Sequence, residues 1–156
     1  MRIRIEKSKR RLTLWQGRRC LYHCAVQLGH SPVGAKRREG DGRTPEGAYR
    51  VCARNPQSKF FRALGLSYPG VADARGAFRA GQIDRATLRR IEAAHRRGSR
   101  PPWDTPLGGW IMLHGQPDDG RSCAGDWTAG CVAVSNADME WLFAHVRAGM
   151  RVVILP

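Results

Sequence analysis

The sequence predicts a single α+β domain that is mainly β. Short alternations of apolar and polar residues recur through the first 28 residues, the period-2 pattern of half-buried strands. Eighteen glycines and nine prolines among 156 residues set turns too densely for a helical bundle. Helical signals are confined to three short stretches. At 42% hydrophobic and 26% charged residues, the chain is long enough for one core and too apolar for disorder.

In order, Ile3 and Ile5, then Leu12 and Leu14, alternate with charged or polar neighbours and form two strands joined by the basic turn KSKR at 7–10. Trp15, Gln16 and Gly17 turn the chain again, and 20–28 alternates as the third strand of an antiparallel meander. There Cys20 and Cys24 share one face with His23 on the other, and both thiols are expected to be buried. The run GHSPVGAKRREGDGRTPEG at 29–47 has no hydrophobic period. Structureless runs of this length in a compact domain are functional or disordered. Strands are expected at 48–53 and 60–68. A short helix follows at 71–80, and Asp84 caps a second over 85–97, with Leu88, Ile91 and Ala94 as its apolar stripe and Gly98 as its stop. RPPWDTPLGG is a rigid turn region, and 110–113 is a short strand ending at His114 and Gly115. After the polar loop 116–125, residues 132–134 read as strand. Ser135 or Asn136 caps a helix to Val146, whose buried face is Met139, Leu142, Phe143 and Val146. Residues 151–155 are the last strand. With no repeat or linker, 1–156 is expected to be one domain.

The formal charge of +14 is uneven: residues 1–100 carry 24 basic and 7 acidic groups, and residues 101–156 carry 3 and 6. Such a field attracts polyanions, while the arginine-coated helix at 85–97 lacks the interleaved aromatics of a nucleic-acid surface, so no specific nucleic acid is expected. No window reaches the roughly 18–20 apolar residues of a transmembrane segment. The first residues lack the apolar core of a signal peptide, and taken literally the chain stays in the cytoplasm. The cysteines at 20, 24, 52, 123 and 131 show neither a disulfide framework nor a CxxC pair, so neither metal nor cofactor is expected.

The segment DWTAGCVAVSN at 126–136 sets Cys131 behind Gly130. A small residue before a nucleophile lets the backbone turn sharply and frees neighbouring N–H groups for an oxyanion. His114, in its own glycine-flanked turn, supplies the base that a Cys-His nucleophile requires. An adjacent imidazole can lower a thiol's pKa by several units, which would make Cys131 the most reactive of the five thiols.

The patterns IMLHG, DWTAGCVAVSNADMEWLFAHV and GMRVVILP, preceded in order by GAKRREGDGRTPEGAYRV and SKFFRALGLSYPGVADA, resemble the catalytic domain of L,D-transpeptidases, the YkuD family of peptidoglycan cross-linking enzymes. The resemblance runs from about Ile5 to Pro156 and implies a β-sandwich of mixed sheets with a few peripheral helices. It implies that Cys131 is the nucleophile, His114 the base, and Gly115 the residue whose carbonyl orients the imidazole. Ala129, Gly130 and Cys131 would supply the oxyanion hole. Gly42, Thr44 and Pro45 would line the cleft, with Thr128, Arg43, Tyr68 and Trp127 also at the substrate. In the family the thiol attacks the carbonyl at the L-centre of diaminopimelate in a stem tetrapeptide, expels D-alanine and forms a thioester, which a second diaminopimelate amine resolves to a 3-3 cross-link. Peptidoglycan stem peptides are the partners this implies, in the periplasm or cell envelope with a leader absent from this sequence, and the basic charge of residues 1–100 fits an anionic cell-wall polymer as a further partner, which the family does not require.

The common family form is Ser-His-Gly-Cys with arginine two residues later. Here Thr128 and Ala129 precede Gly130, and Ala133 replaces the arginine. The carboxylate-binding role of that arginine passes to Arg43 or Lys36 as the expected substitutes. The alternatives are an L,D-carboxypeptidase, endopeptidase or amidase of peptidoglycan at the same site, including release or attachment of a wall-anchored protein, and a noncatalytic basic polymer-binding module.

Overall fold

The structure is a computed structural model and describes residues 1–121 and 123–156. Eight strands and three helices follow in the order β1 (Arg2–Glu6), β2 (Arg11–Gln16), β3 (Arg19–Ala25), β4 (Gly47–Ser58), β5 (Phe61–Leu66), α1 (Val71–Arg79), α2 (Arg85–Arg96), β6 (Met112–His114), β7 (Val132–Ala133), α3 (Asn136–His145) and β8 (Arg151–Leu155). The early alternation becomes the expected meander, with Ile3 opposite Leu14 and Ile5 opposite Leu12, all four buried. β8 then enters beside β1 in parallel register.

All eight strands belong to one mixed sheet of order β3-β2-β1-β8-β4-β5-β6-β7. The sandwich-like form comes from β4, which is twice the length expected. Its start pairs with β8 and its remainder with β5 through two register shifts. Such irregularities bend a strand and raise its twist, so β4 carries the sheet from one half to the other. Residues of both halves share a single core that includes Ile5, Leu12, Leu64, Leu113, Val132 and Ile154.

One expectation is overturned within β3. Trp15 pairs with Cys20 but Leu14 pairs with Tyr22, leaving Leu21 as an extra residue. A bulge of one residue reverses every later side chain. Cys24 therefore enters the core while Cys20 is exposed, on the outer face with His23 and Arg11.

The helices cover the sheet as their caps and stripes dictate. Asp84 accepts the Thr87 N–H at 2.7 Å, and Ile91 and Ala94 of α2 are buried. Ser135 accepts the Asp138 N–H at 3.1 Å, and Met139 and Leu142 of α3 face the core. Phe143, expected in that face, is half-buried under the Arg54 guanidinium, 4.1 Å from its ring centroid. Among the described residues no helix is long and apolar enough to cross a membrane.

Two polar anchors organise the irregular chain. Lys7, from the basic turn, is only 2% exposed and donates to the carbonyls of Gly34 (2.7 Å) and Thr44 (3.0 Å) and to Glu46 (2.9 Å). It thus holds the 29–47 loop from inside. Asp126 accepts from the Arg10 guanidinium at 2.7–3.1 Å and from the Leu28 N–H at 2.9 Å. Beside it, Gln27 and Ala133 exchange two backbone hydrogen bonds of 2.8 Å, Thr128 N–H donates to Leu28 (3.1 Å) and His30 N–H donates to Thr128 (2.9 Å). The chain leaving β3 is thereby stitched to the segment entering β7, joining the two ends of the strand order.

Asp126→Ala leaves an amide and a guanidinium without their acceptor. Hydrogen bonds to a charged group are worth about 1.5–3 kcal/mol. Urea unfolding is expected to show a loss of stability in that range, seen as a lower midpoint at unchanged slope.

Candidate active site

Cys131 and His114 come together because β6 and β7 run side by side, Leu113 opposite Val132 and His114 opposite Ala133. Cys131 immediately precedes β7. Its Sγ accepts the N–H of Met112 and donates to the carbonyl of Trp110, both at 3.4 Å. His114 ends β6, two residues beyond Met112 on the same strand face.

The imidazole is held on every side. Its Nδ1 lies 2.7 Å from the carbonyl oxygen of Gly115. A carbonyl only accepts, so Nδ1 carries the proton and Nε2 is left with its lone pair. Phe60 stacks on the ring at a centroid distance of 4.5 Å, and Trp127 meets it edge-on at 5.7 Å. Gly115 is glycine because a Cβ there would lie 2.4 Å from Asn136 Oδ1 and 3.0 Å from the Phe60 carbonyl oxygen. Its own N–H donates to the carbonyls of Phe60 and Arg62, which fixes the carbonyl that orients His114.

Gln27 ties this cage to the sheet closure. Its side-chain oxygen accepts from Trp127 Nε1 at 2.9 Å and Gln116 Nε2 at 3.1 Å, and its amide donates to the Cys123 carbonyl at 2.8 Å. Neither Gln27 nor Phe60 stood out in the sequence. The one signal for Gln27 is a polar residue between Val26 and Leu28, both buried.

The turn before the thiol differs from the expectation in one respect. Thr128 Oγ1 donates to the Cys131 carbonyl at 2.7 Å and accepts the Gly130 N–H at 3.1 Å. The Gly130 N–H is therefore committed and unavailable to an oxyanion. Among the described residues, the N–H groups of Ala129 and Cys131 take no partner within the chain. Gly130 matters instead for its φ of 136° and because a Cβ there would come 2.7 Å from the Arg43 carbonyl oxygen. Through this contact the 29–47 loop borders the thiol.

Burial dominates the electrostatics. It pushes the Cys131 thiol above its ordinary value, against the Met112 N–H and the Lys36 charge, which act the other way. It also pushes His114 below 6.5, against its bond to Gly115. At rest the pair is thus a neutral thiol and a neutral imidazole, and the expected lowering of the thiol pKa by the histidine is not seen. The physical reason is that the low-dielectric setting disfavours both charged forms, while the thiol donates to Trp110 and not to the imidazole.

Of the expected substrate contacts, Trp127 packs against His114, and Arg43 borders the site through its backbone carbonyl at Gly130 while its side chain lines a groove with His30, Ser31 and Arg37. Three do not reach the site. Tyr68 is fully buried, its hydroxyl donating to the Leu107 carbonyl at 3.0 Å. Thr44 is likewise fully buried and accepts the Gly29 N–H at 3.0 Å. Thr128 is turned inward to the Cys131 carbonyl. Lys36 is also withdrawn as a carboxylate anchor, because its buried ammonium pairs with Asp41 at 2.9 Å. Burial alone would raise the Asp41 carboxyl, but the amides of Arg37, Arg43 and Arg38 together with Lys36 hold it at about 2.

The family model of the L,D-transpeptidase catalytic domain (YkuD) matches residues 1–154. Among solved structures, the chain is similar to the helical cell shape determining protein Pgp2 from Campylobacter jejuni, at 23% identity and a TM-score of 0.66, over 97% of this chain and 46% of that one. It is similar to Bd1075 from Bdellovibrio bacteriovorus, at 21% identity and a TM-score of 0.63, over 99% of this chain and 47% of that one. An L,D-transpeptidase from Xylanimonas cellulosilytica shares 19% identity and a TM-score of 0.55, over 97% of this chain and 58% of that one. A comparison with curated proteins finds no match. The chain thus spans about half the length of the solved relatives, and at these identities the likeness is one of fold. The family match rests on nearly the whole chain: this protein belongs to the L,D-transpeptidase catalytic domain (YkuD) family.

Proposed function

We propose that this domain is a peptidoglycan L,D-transpeptidase acting through Cys131 and His114. The observation that carries the reading is the tautomer of His114: a Gly115 carbonyl holds the proton on Nδ1 and leaves a basic Nε2 in a cage beside a half-buried thiol. When a stem tetrapeptide enters, the thiol turns from Trp110 to the imidazole and gives its proton to Nε2. The sulfur attacks the carbonyl at the L-centre of diaminopimelate, a C–S bond forms, and the oxygen takes the electron pair. The free N–H groups of Ala129 and Cys131 receive that charge. Collapse breaks the C–N bond, His114 returns the proton to the leaving amine, and D-alanine departs. A second stem-peptide amine then attacks the thioester, its proton passes to His114, the C–S bond breaks, and the thiol is restored as a 3-3 cross-link forms. Such a substrate puts the protein in the periplasm or cell envelope. Arg43, whose backbone carbonyl borders Gly130 and whose half-exposed side chain lines the groove with His30 and Arg37, is the residue suited to a substrate carboxylate.

Incubating the protein with tetrapeptide muropeptides tests the reaction. D-alanine and cross-linked dimers are the expected products, and release of D-alanine with tripeptide alone would reassign the acceptor to water. Cys131→Ala is expected to abolish D-alanine release and His114→Ala to lower its rate about 10²- to 10⁴-fold. Full activity in Cys131→Ala would end the reading.

His114 must be neutral to take the proton, and burial holds it below 6.5. The acid limb of kcat/KM is therefore expected to fall at a pH lower than 6.5. The linkage has the same sign for stability: the contribution of this depressed group is complete above 6.5 and is lost as the pH falls through its folded value. A pH profile with its acid midpoint at or above 6.5 would contradict a buried neutral base.

Gln27→Leu removes the acceptor that clamps Trp127 against the imidazole. Loss of orientation costs about 10- to 100-fold when a reacting group shifts by an ångström. Steady-state kinetics are expected to show that loss in kcat with little change in KM, and Gln27→Glu to recover part of it.

A further inference from the structure

The turn region 100–110, which the mechanism uses only through one carbonyl, breaks several packing rules at once beside the thiol. Trp110 is 63% exposed, one of the few large apolar side chains left in water. Its φ of 57° is a left-handed conformation that bulky residues rarely adopt. Trp103 lies beneath it with ring centroids 4.6 Å apart, and the Trp103 Nε1 is buried without a partner. Gly109 makes room for that stack, since a Cβ there would come 2.4 Å from the Trp103 Cβ. Arg100, itself exposed, sets its guanidinium 4.7 Å from the Trp103 ring centroid and 6.0 Å from that of Trp110. The nearby acid, Asp104, bonds instead to Arg90 at 3.2 Å. Among the described residues Arg100 has no carboxylate partner. Beyond it the surface continues as a shallow groove lined by Arg89, Arg97, Pro101 and Pro102.

Backbone strain and orphaned polar groups cluster where function requires them, and here they hold an indole in water next to a nucleophile. An exposed indole offers an apolar plate, and an unpaired guanidinium beside it offers a fork for one carboxylate. We propose that Trp110, Trp103 and Arg100 form a subsite for a carboxylate-bearing peptide, with the alkyl part of the peptide lying on Trp110 and its carboxylate on Arg100. The Trp110 carbonyl touches the Cys131 thiol, so a peptide seated there lies within reach of the reacting sulfur. On the transpeptidase reading, which this inference extends, the peptide is a stem peptide. It enters on the side of the thiol where β6 begins, whereas Arg43 borders the thiol through Gly130. Donor and acceptor stems share this chemistry.

Equilibrium binding separates the subsite from catalysis. A Cys131→Ala protein titrated with free stem tetrapeptide is expected to show quenched tryptophan fluorescence, and Trp110→Phe in that background to abolish most of the quenching. Arg100→Gln is expected to raise Kd about 10- to 100-fold, the worth of a hydrogen bond to a charged group. A tetrapeptide with amidated carboxyls should bind the Arg100 protein as weakly as the free peptide binds Arg100→Gln. The Arg100 side chain is solvent-exposed, and a far-UV circular dichroism spectrum checks that the variant is folded. An unchanged Kd in Arg100→Gln, or quenching that persists in Trp110→Phe, overturns the subsite. In the Cys131 enzyme, Arg100→Gln raising KM for D-alanine release assigns the subsite to the donor, and raising only the acceptor concentration needed for dimer formation assigns it to the acceptor. If neither moves, the subsite falls while the transpeptidase stands. If the unaltered protein releases no D-alanine but binding still depends on Arg100, the transpeptidase reading falls and the subsite stands.

Discussion

The segment from Asp126 to Val134 is hydrogen-bonded on both flanks, and the site exists because of that double lacing. On one side Val134 N–H donates to the His114 carbonyl, and on the other Gln27, Leu28 and His30 exchange bonds with Ala133 and Thr128. A two-residue strand such as β7 has little stability of its own. It is held by β6, by the chain leaving β3, and by Asp126, whose carboxylate joins Arg10 to the Leu28 amide. The thiol, the imidazole and the two free N–H groups sit at this seam. Their separation is therefore set by the closure of the whole sheet, as a preorganised site on rigid elements requires.

Burial at the seam selects the chemistry. A thiolate–imidazolium pair would place two charges in a region that disfavours both, and the resting groups are neutral instead. In the proposed mechanism the proton moves only when a carbonyl arrives to take up the charge, which would confine reactivity to a bound substrate. This also protects the thiol, since the cysteine most open to solvent is Cys20 on the far face of the sheet.

The basic character of the chain divides into two populations with different roles. Lys7 and Lys36 are buried and bonded, the first to carbonyls and Glu46, the second to Asp41. They shape the loop beside the thiol from within. Arginines such as Arg89, Arg97 and Arg100 remain at the surface, where their charge meets solvent or an anionic ligand. The net charge alone does not distinguish these groups.

What the sequence by itself determined is local. Alternation identified β1, β2 and β3, and strands were also expected where β5 and β8 lie, though β5 was carried through to Tyr68, which lies beyond the strand's end. Asp84 and Ser135 marked the starts of α2 and α3, and the glycine before Cys131 and the turn after His114 marked the candidate nucleophile and base. Each depends on neighbours a few residues apart. What only the tertiary structure decided involves residues far apart in the chain. One bulge at Leu21 sent Cys20 and Cys24 to opposite faces. Gln27 meets Trp127, and Phe60 meets His114, across strands whose pairing no local pattern encodes. Thr128, placed at the substrate by resemblance, spends its hydroxyl on the backbone turn. Tyr68 and Thr44, placed at the cleft by resemblance, lie in the interior. The physical reason is that hydrophobic period and capping chemistry are properties of a short segment, whereas burial, hydrogen-bond partnership and the resulting pKa shifts arise only when distant segments displace water from one another.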